Sequence, residues 1–347
     1  MSEQLTPADA LRRIAFLLER AREPSYRVQA FRTAATVVAG LDDAELDRRV
    51  RTRTLTELKG VGEKTAAVVT EAHRGELPAY LQRLEESHAE LAPLADDAAA
   101  LRAALKGDLH AHSDWSDGGS PIREMAEAAI SIGHEYLALT DHSPRLTVAN
   151  GLTPERLERQ LDVVAALNEE LAPFRILTGI ECDVLADGAL DQTEELLGRL
   201  DVVVASVHSE LRAPRAQMTE RMLAAVANPH TDVLGHCTGR LVIGRKQRNG
   251  TQRPRPESDF DAEAVFRACV DHGTAVEINS RPERLDPPRR LLTRAAELGC
   301  DFAIDTDAHA PGQLDWQDFG CTRAVECGIT ADRVVNTRSA ADLLAQL

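Results

Sequence analysis

Apolar residues beyond about residue 106 fall into seven short runs: Asp108–Ser113, Tyr136–His142, Arg175–Val184, Asp201–His208, Asp232–Cys237, Ala275–Ser280 and Phe302–His309. Runs this short, bounded by Gly, Pro, Asn or Asp, read as buried β-strands. Between most of them the apolar period lengthens to that of a helix, at Ile122–Ile132, Pro154–Leu171, Thr219–Val226, Asp261–His272 and Arg289–Leu298. Regular strand–helix alternation implies a parallel sheet, and seven such units imply a closed α/β barrel.

The N-terminal part has a different pattern. Residues 6–82 read as helical throughout. Thr6-Pro7 is a helix start signal, a capping side chain followed by proline at the first position. Leu11, Ile14, Ala15 and Leu18 then mark one helix face, and a second helix spans Arg27–Ala39 before Gly40. Further on, a short helix meets the turn Gly60-Val61-Gly62 and a second helix starts at once. Glycines there let a ligand approach the backbone, and free N–H groups at a helix start suit a phosphate. A plain turn between packed helices is the competing reading, and Lys59 and Lys64 weigh against it. The expected organisation is residues 1–82 as a small all-α domain, 83–106 as a helical linker with a solvated face, and 107–347 as the barrel.

Charge adds to that division. The net charge is −16, yet residues 1–82 hold 13 Lys/Arg against 12 Asp/Glu, so the acidic excess lies in the rest of the chain. That excess argues against broad coating of nucleic acid. Carboxylates that hold cations are partly neutralised when loaded. The six cysteines form no CxxC pair and read as reduced thiols. No apolar run approaches the ~20 residues of a membrane span, and no signal pattern opens the chain, so a cytoplasmic location is expected.

The chemistry lies at the strand ends. Predicted strands end in His110 and His112, in His142, Glu181, His208 and His236, and in Asp307 and His309, with Asp117 in the Gly-rich loop after the first. Positions i and i+2 face one side of a strand, so His110/His112 and Asp307/His309 can each point at one ion. One such histidine would usually be structural; six at equivalent ends of a parallel barrel, where barrel enzymes place their chemistry, form a metal site. Nine ligands exceed the roughly four that one zinc ion takes, so two or three divalent ions are implied, with zinc, manganese and iron(II) all compatible. A polynuclear site suits phosphoester hydrolysis. Catalysis is expected to depend on Glu181, Asp307 and His208, with Glu181 the candidate bridging carboxylate.

The motifs DLHAHSDWSDG, ALTDHS, GIECDV, SVHSE, GHCTGR, EINS and DTDAH resemble the polymerase-and-histidinol-phosphatase (PHP) family over roughly residues 106–340. The resemblance implies a distorted (β/α)7 barrel. It also implies a partition of ligands: His110, His112, Glu181 and Asp307 on one ion, Glu181, His208 and His236 on a second, Asp117, His142 and His309 on a third. Within that family the chain is similar to the C-terminal domain of bacterial X-family DNA polymerases. Residues 8–82 resemble the helix-hairpin-helix domain of the same polymerases, and the polymerase core between the two is missing. Related eukaryotic lyase domains carry a Schiff-base lysine six residues after the second hairpin glycine; Val68 stands there, so the hairpin is expected to position DNA rather than to act as a lyase.

These readings point to a metal-dependent phosphoesterase acting on DNA, as a 3′–5′ exonuclease or at abasic or 3′-blocked ends. The DNA partner would be gripped by its backbone without sequence preference, at Gly60, Gly62 and Lys64. Further contacts are expected from the basic stretch holding Arg240, Arg245 and Lys246, from Arg281 as a phosphate clamp, and from Trp115, which could equally be a lid residue. No membrane partner is expected; a repair polymerase or ligase acting in trans is compatible. Two competing functions are a small-molecule phosphatase of the histidinol-phosphatase type and a non-catalytic DNA-binding protein.

Overall fold

The computed structural model describes residues 5–89, 94–244 and 252–346. The chain divides into two compact units, Met1–Pro93 and Leu94–Leu347. No helix among the described residues is long and apolar enough to cross a membrane.

The first unit is all-helical: α1 (Pro7–Arg20), α2 (Ser25–Ala39), α3 (Asp43–Thr52), α4 (Glu63–His73) and α5 (Ala79–Ala89). Thr6 caps α1, its hydroxyl accepting from the Asp9 N–H at 3.1 Å. The face of Leu11, Ile14, Ala15 and Leu18 is fully buried, and α1 packs on α2, α4 and α5. Arg32 fastens α2 to α1 through a bidentate pair with Glu19 at 2.7 and 2.8 Å. The helix expected before the hairpin turn is a single 3-10 turn, Leu55–Glu57. Gly60 has φ +99°, and a Cβ there would meet the Thr33 side chain at 2.7 Å, so both conformation and space require glycine.

The second unit begins with α6 (Asp96–Ala104). It continues as β1 (Gly107–Ala111), α7 (Ile122–Ser131), β2 (Tyr136–Leu139), α8 (Pro154–Leu171), β3 (Arg175–Asp183), α9 (Glu194–Leu197), β4 (Val202–Ser206) and α10 (Arg215–Val226). β5 (Val233–Leu234), α11 (Ala262–His272), β6 (Ala275–Asn279), α12 (Arg289–Leu298), β7 (Phe302–Asp305), α13 (Gln317–Glu326) and α14 (Ala340–Leu344) complete it. All seven strands are parallel, in the order β1-β2-β3-β4-β5-β6-β7.

β7 returns beside β1, making the sheet a nearly closed (β/α)7 barrel. A short parallel bridge joins Ala111 to Ala308. Below it two buried carboxylates take the place of ladder bonds: Asp305 accepts from the Leu109 N–H at 2.8 Å, and Asp108 accepts from the Thr306 hydroxyl at 2.6 Å. The strands alternate as a two-sided sheet requires. Leu177, Val202, Val204, Ala275 and Ala303 pack together in the interior, capped by Val335 and Leu343. Ile180, Val203, Val276 and Ile304 pack outward among the helices. Continuing the interior register toward the C-terminal ends gives Glu181, Ser206, Glu277 and Asp305, so the barrel interior changes from apolar to polar along its length.

Most strands stop before their predicted ends. β2, β4, β5 and β7 end two or more residues short of His142, His208, His236 and His309, which therefore sit on loops just past the ladder. Pairing ends there because the backbone must turn inward to aim these side chains; Asp307, at φ +53°, shows the departure most clearly.

Candidate metal centre

The histidines and carboxylates predicted as ligands converge at the C-terminal mouth of the barrel. Glu181, wholly buried on β3, is central. Its Oε2 lies 2.8 Å from His142 Nδ1, 3.4 Å from His110 Nε2 and 3.6 Å from His112 Nε2. Its Oε1 lies 2.8 Å from His236 Nε2 and 3.2 Å from His208 Nε2. One carboxylate thus faces five imidazoles, with a different set at each oxygen. Asp307 Oδ1 stands 3.5 Å from His112 Nε2. Asp117 reaches His142 and His309 at 3.4 and 3.3 Å. Its loop closes where Gly118 donates to the Ser113 carbonyl, a contact so tight that a Cβ would lie 2.6 Å from that oxygen.

Three groups could each hold an ion: His110, His112 and Asp307; His142, Glu181 and His208; and His112, Asp117, His142 and His309. The residues fit such ions on a direct structural observation. His110 Nε2, both ring nitrogens of His112 and of His208, His142 Nδ1 and Glu181 Oε2 are buried and make no aligned hydrogen bond, although His142 Nδ1 and Glu181 Oε2 stand 2.8 Å apart. Buried polar atoms are rarely left unpaired, and here the unpaired ones are ligand atoms turned toward one another.

Electrostatics supports ionised carboxylates. Burial opposes ionisation of Glu181, yet His208, His110 and His142 hold it well below the usual range. Burial likewise opposes Asp307, and Arg284, His112 and Arg281 overcome it. Burial and the neighbouring His309 and His142 keep His112 neutral, and burial and Arg284 push His236 down. Glu181 instead pulls His110, His142 and His208 up against burial, so these three give up a proton when they ligate, since only a neutral ring keeps the lone pair that a metal needs.

Several supporting residues lay outside the sequence reading. Glu277, on β6, accepts from or shares a proton with His110 Nδ1 at 2.6 Å, and its other oxygen accepts from the His236 N–H. Asp141 gathers the Ser113 N–H and hydroxyl (2.9 and 2.6 Å), the Ser116 hydroxyl and the Gln160 amide, pinning the loop that carries Asp117. Arg284 Nε lies 2.9 Å from Asp307 Oδ2, and its Nη1 is buried without a hydrogen-bond partner. A carboxylate inside the apolar run Ala275-Val276-Glu277-Ile278 was a readable signal for Glu277; Arg284, in a loop, gave none.

The residues expected to touch DNA are spread more widely. Arg281 donates to the Asp307 carbonyl at 2.8 Å and lies 3.1 Å from His309 Nδ1, at the edge of the cluster. Arg240 is engaged with the carbonyls of Arg284 and Leu285 and with Glu257. Arg245 and Lys246 lie outside the described residues. Trp115 is half-buried against the outer core, its carbonyl accepting from Asn150 at 3.1 Å. In the first unit, Gly60, Gly62 and Lys64 line a pocket of about 380 Å³ with Tyr26, Arg27, Phe31 and Tyr80. The Thr65 hydroxyl ties down Gly62, accepting from its N–H at 2.9 Å, and Val68 is 1% exposed.

Residues 4–76 match the helix-hairpin-helix domain family. The chain is 41% identical over 277 residues to the DNA polymerase/3′-5′ exonuclease PolX of Bacillus subtilis, an alignment covering 80% of this chain and 47% of that protein. The chain thus spans about half the length of that relative. It is 27% identical over 241 residues to a probable phosphatase of Thermoanaerobacter sp. (strain X514), covering 66% of this chain and 89% of that one. Among solved structures it aligns with histidinol phosphate phosphatase of Lactococcus lactis at 19% identity and a TM-score of 0.45, over 65% of this chain and 94% of that one. Residues 108–281, half of the chain, match the PHP domain, and the chain belongs to that family of metal-dependent phosphoesterases.

Proposed function

We propose that this protein hydrolyses phosphodiesters in DNA, as a 3′–5′ exonuclease or at abasic or 3′-blocked ends during repair. The observation that carries the reading is the presence on one chain of the barrel cluster and a helix-hairpin-helix unit with a Gly-Lys pocket. The name of the Bacillus subtilis relative, which includes a 3′-5′ exonuclease, supports it.

His110, His112, Glu181 and Asp307 would hold one divalent ion, Glu181, His208 and His236 a second, and Asp117, His142 and His309 a third. Imidazole and carboxylate ligands without thiolate suit manganese, zinc or iron(II). When bound, such ions lower the pKa of a water and neutralise phosphoryl oxygens. Glu181, facing both sets of imidazoles, would bridge two of these positions. Arg284 fixes the Asp307 carboxylate, and Arg281, which already holds the Asp307 carbonyl at the rim, would meet a phosphate oxygen entering the mouth. In the first unit the backbone N–H groups of Glu63 and Lys64 have no acceptor within the protein among the described residues. With the Lys64 ammonium they would hold backbone phosphates irrespective of sequence.

The test is a gel assay of purified, manganese-loaded protein on 3′-labelled and 5′-labelled DNA, including an abasic duplex, with Glu181→Ala as the contamination control. Cleavage that the control lacks supports the reading, and the product ladder separates exonuclease from abasic-site action. A second reading, a small-molecule phosphatase, is favoured by the barrel-sized relatives named as probable phosphatases. Hydrolysis of histidinol phosphate or another monoester, with DNA left intact, would establish that alternative.

A further inference from the structure

A pocket of about 480 Å³ opens on the barrel rim, and none of the candidate metal ligands lines it. Its walls come from Arg240 after β5, from Leu285 after β6, from Arg289 at the first position of α12, and from Phe319, Thr322 and Arg323 of α13. The last three are spaced i, i+3 and i+4 and so share one helix face.

Arg323 sets the chemistry of this pocket. It is 5% exposed, its guanidinium donates to the carbonyls of Pro287 and Asn279, and among the described residues no carboxylate lies within ion-pair distance of it. Arg240 has Glu257 at 3.6 Å, but that carboxylate is shared with Arg290; Arg289 pairs with Glu326 and remains 64% exposed. Burial, Arg240 and Arg289 push Arg323 down to about 10, against the opposing pull of Asp286. A buried cation without an anionic partner is costly, and in a chain of net charge −16 three converging arginines are not a random face. The planar guanidinium fork matches phosphate oxygens. Phe319, 42% exposed on the same wall, offers a ring face to a base.

We propose that this pocket binds a nucleotide, with its phosphate held by Arg289 and Arg323 and its base stacked on Phe319. The site is separate from the metal cluster and stands whether or not DNA is the substrate. Its occupant is either a free mononucleotide or one nucleotide of a longer strand. Leu285 follows Arg284, the partner of Asp307, so an occupant lies against the segment that holds that carboxylate.

The full chain is irradiated with 8-azidoadenosine 5′-monophosphate and the labelled peptides are mapped. Label is expected on residues 311–326, competed by AMP but not by adenosine or inorganic phosphate at equal concentration. Phe319→Ala and Arg289→Ala, both at exposed positions, should each lower labelling about tenfold, equivalent to roughly 1.4 kcal/mol. Hydrolysis of bis(p-nitrophenyl) phosphate should stay unchanged in both. A higher KM for an oligonucleotide in Arg289→Ala identifies a strand as the source; an unchanged KM identifies a free nucleotide. No label on α13, or labelling equal in wild type and both variants, overturns the proposal. Because labelling needs no turnover, failure of the DNA reading leaves this result independent.

Discussion

His110 Nδ1 stands 2.6 Å from Glu277 Oε1, both side chains are fully buried, and the opposite ring nitrogen of His110 faces Glu181 at 3.4 Å. A carboxylate behind an imidazole fixes its tautomer and rotation and makes it a better ligand; loss of such a partner typically costs about 10–100-fold in metal affinity or activity. Glu277 also holds the His236 backbone N–H, so it orders two candidate ligands at once. Glu277→Gln should therefore lower kcat by about 10–100-fold and reduce the metal retained after dialysis, with the thermal midpoint little changed. Metal analysis beside melting curves checks this; full metal content and full activity in a folded variant would remove Glu277 from the site.

Glu181 is the residue whose loss should matter most, because its two oxygens face different imidazole sets. Glu181→Ala, like His110→Ala and Asp307→Ala, should abolish turnover by at least ~1,000-fold while leaving the circular dichroism of the fold intact. These side chains lie at the mouth, beyond the apolar packing of Leu177, Val204 and Ala303 that holds the barrel together. Activity retained in all three variants would refute the assignment.

The barrel was legible in the sequence because its signals are local. Pro154–Leu171 and Arg289–Leu298 are helices with the bounds that periodicity gives them, and Thr6 caps α1 as its type and position imply. The convergence of histidines and carboxylates at the barrel mouth was legible because histidine is rare and its recurrence at successive strand ends stands out. What escaped has a physical reason too. Motif residues such as His142 and Asp307 read as strand because they continue an apolar run, but a ligand must be aimed inward, and the backbone leaves the ladder to do so. Arg284 escaped, and Arg240 was read only as a DNA contact, because their partners are backbone carbonyls and a carboxylate tens of residues away, contacts that no local pattern encodes.

Lys64 tests the role of the first unit. It is exposed beside Gly62 at the start of α4, where the helix dipole adds to its charge. Lys64→Glu should weaken binding of duplex DNA uniformly across sequences and reduce the slope of log K against log salt by about 1. Turnover of a small chromogenic phosphodiester should be unaffected, since the barrel supplies that chemistry alone. Fluorescence anisotropy over a salt series reads the first effect; an unchanged affinity and slope would assign DNA contact elsewhere.

His134 gives the fold a predictable sensitivity to acid. It is buried, its Nε2 lies 3.0 Å from Gln317 Oε1, and so it donates as a neutral ring; the Gln317 amide donates in turn to the carbonyls of Gly107 and Ile304, at β1 and β7. Burial, helped by Arg102, pushes His134 down to about 3. In the unfolded chain it returns to about 6.5, so between these values the unfolded state binds one more proton and stability rises with pH. The contribution is complete above about pH 6.5 and is lost as pH falls toward 3, at up to roughly 1.4 kcal/mol per pH unit. Asp232, pushed up to about 7 by burial, acts in the opposite sense over part of this window, so wild type and variant must be compared. His134→Gln keeps a polar partner for Gln317 and cannot titrate. Between pH 7 and pH 5, wild type should lose about 2 kcal/mol more unfolding free energy than the variant. Denaturant melts at the two pH values measure the difference, and equal losses would mean that the His134 ring is solvated rather than held neutral beneath the seam of the barrel.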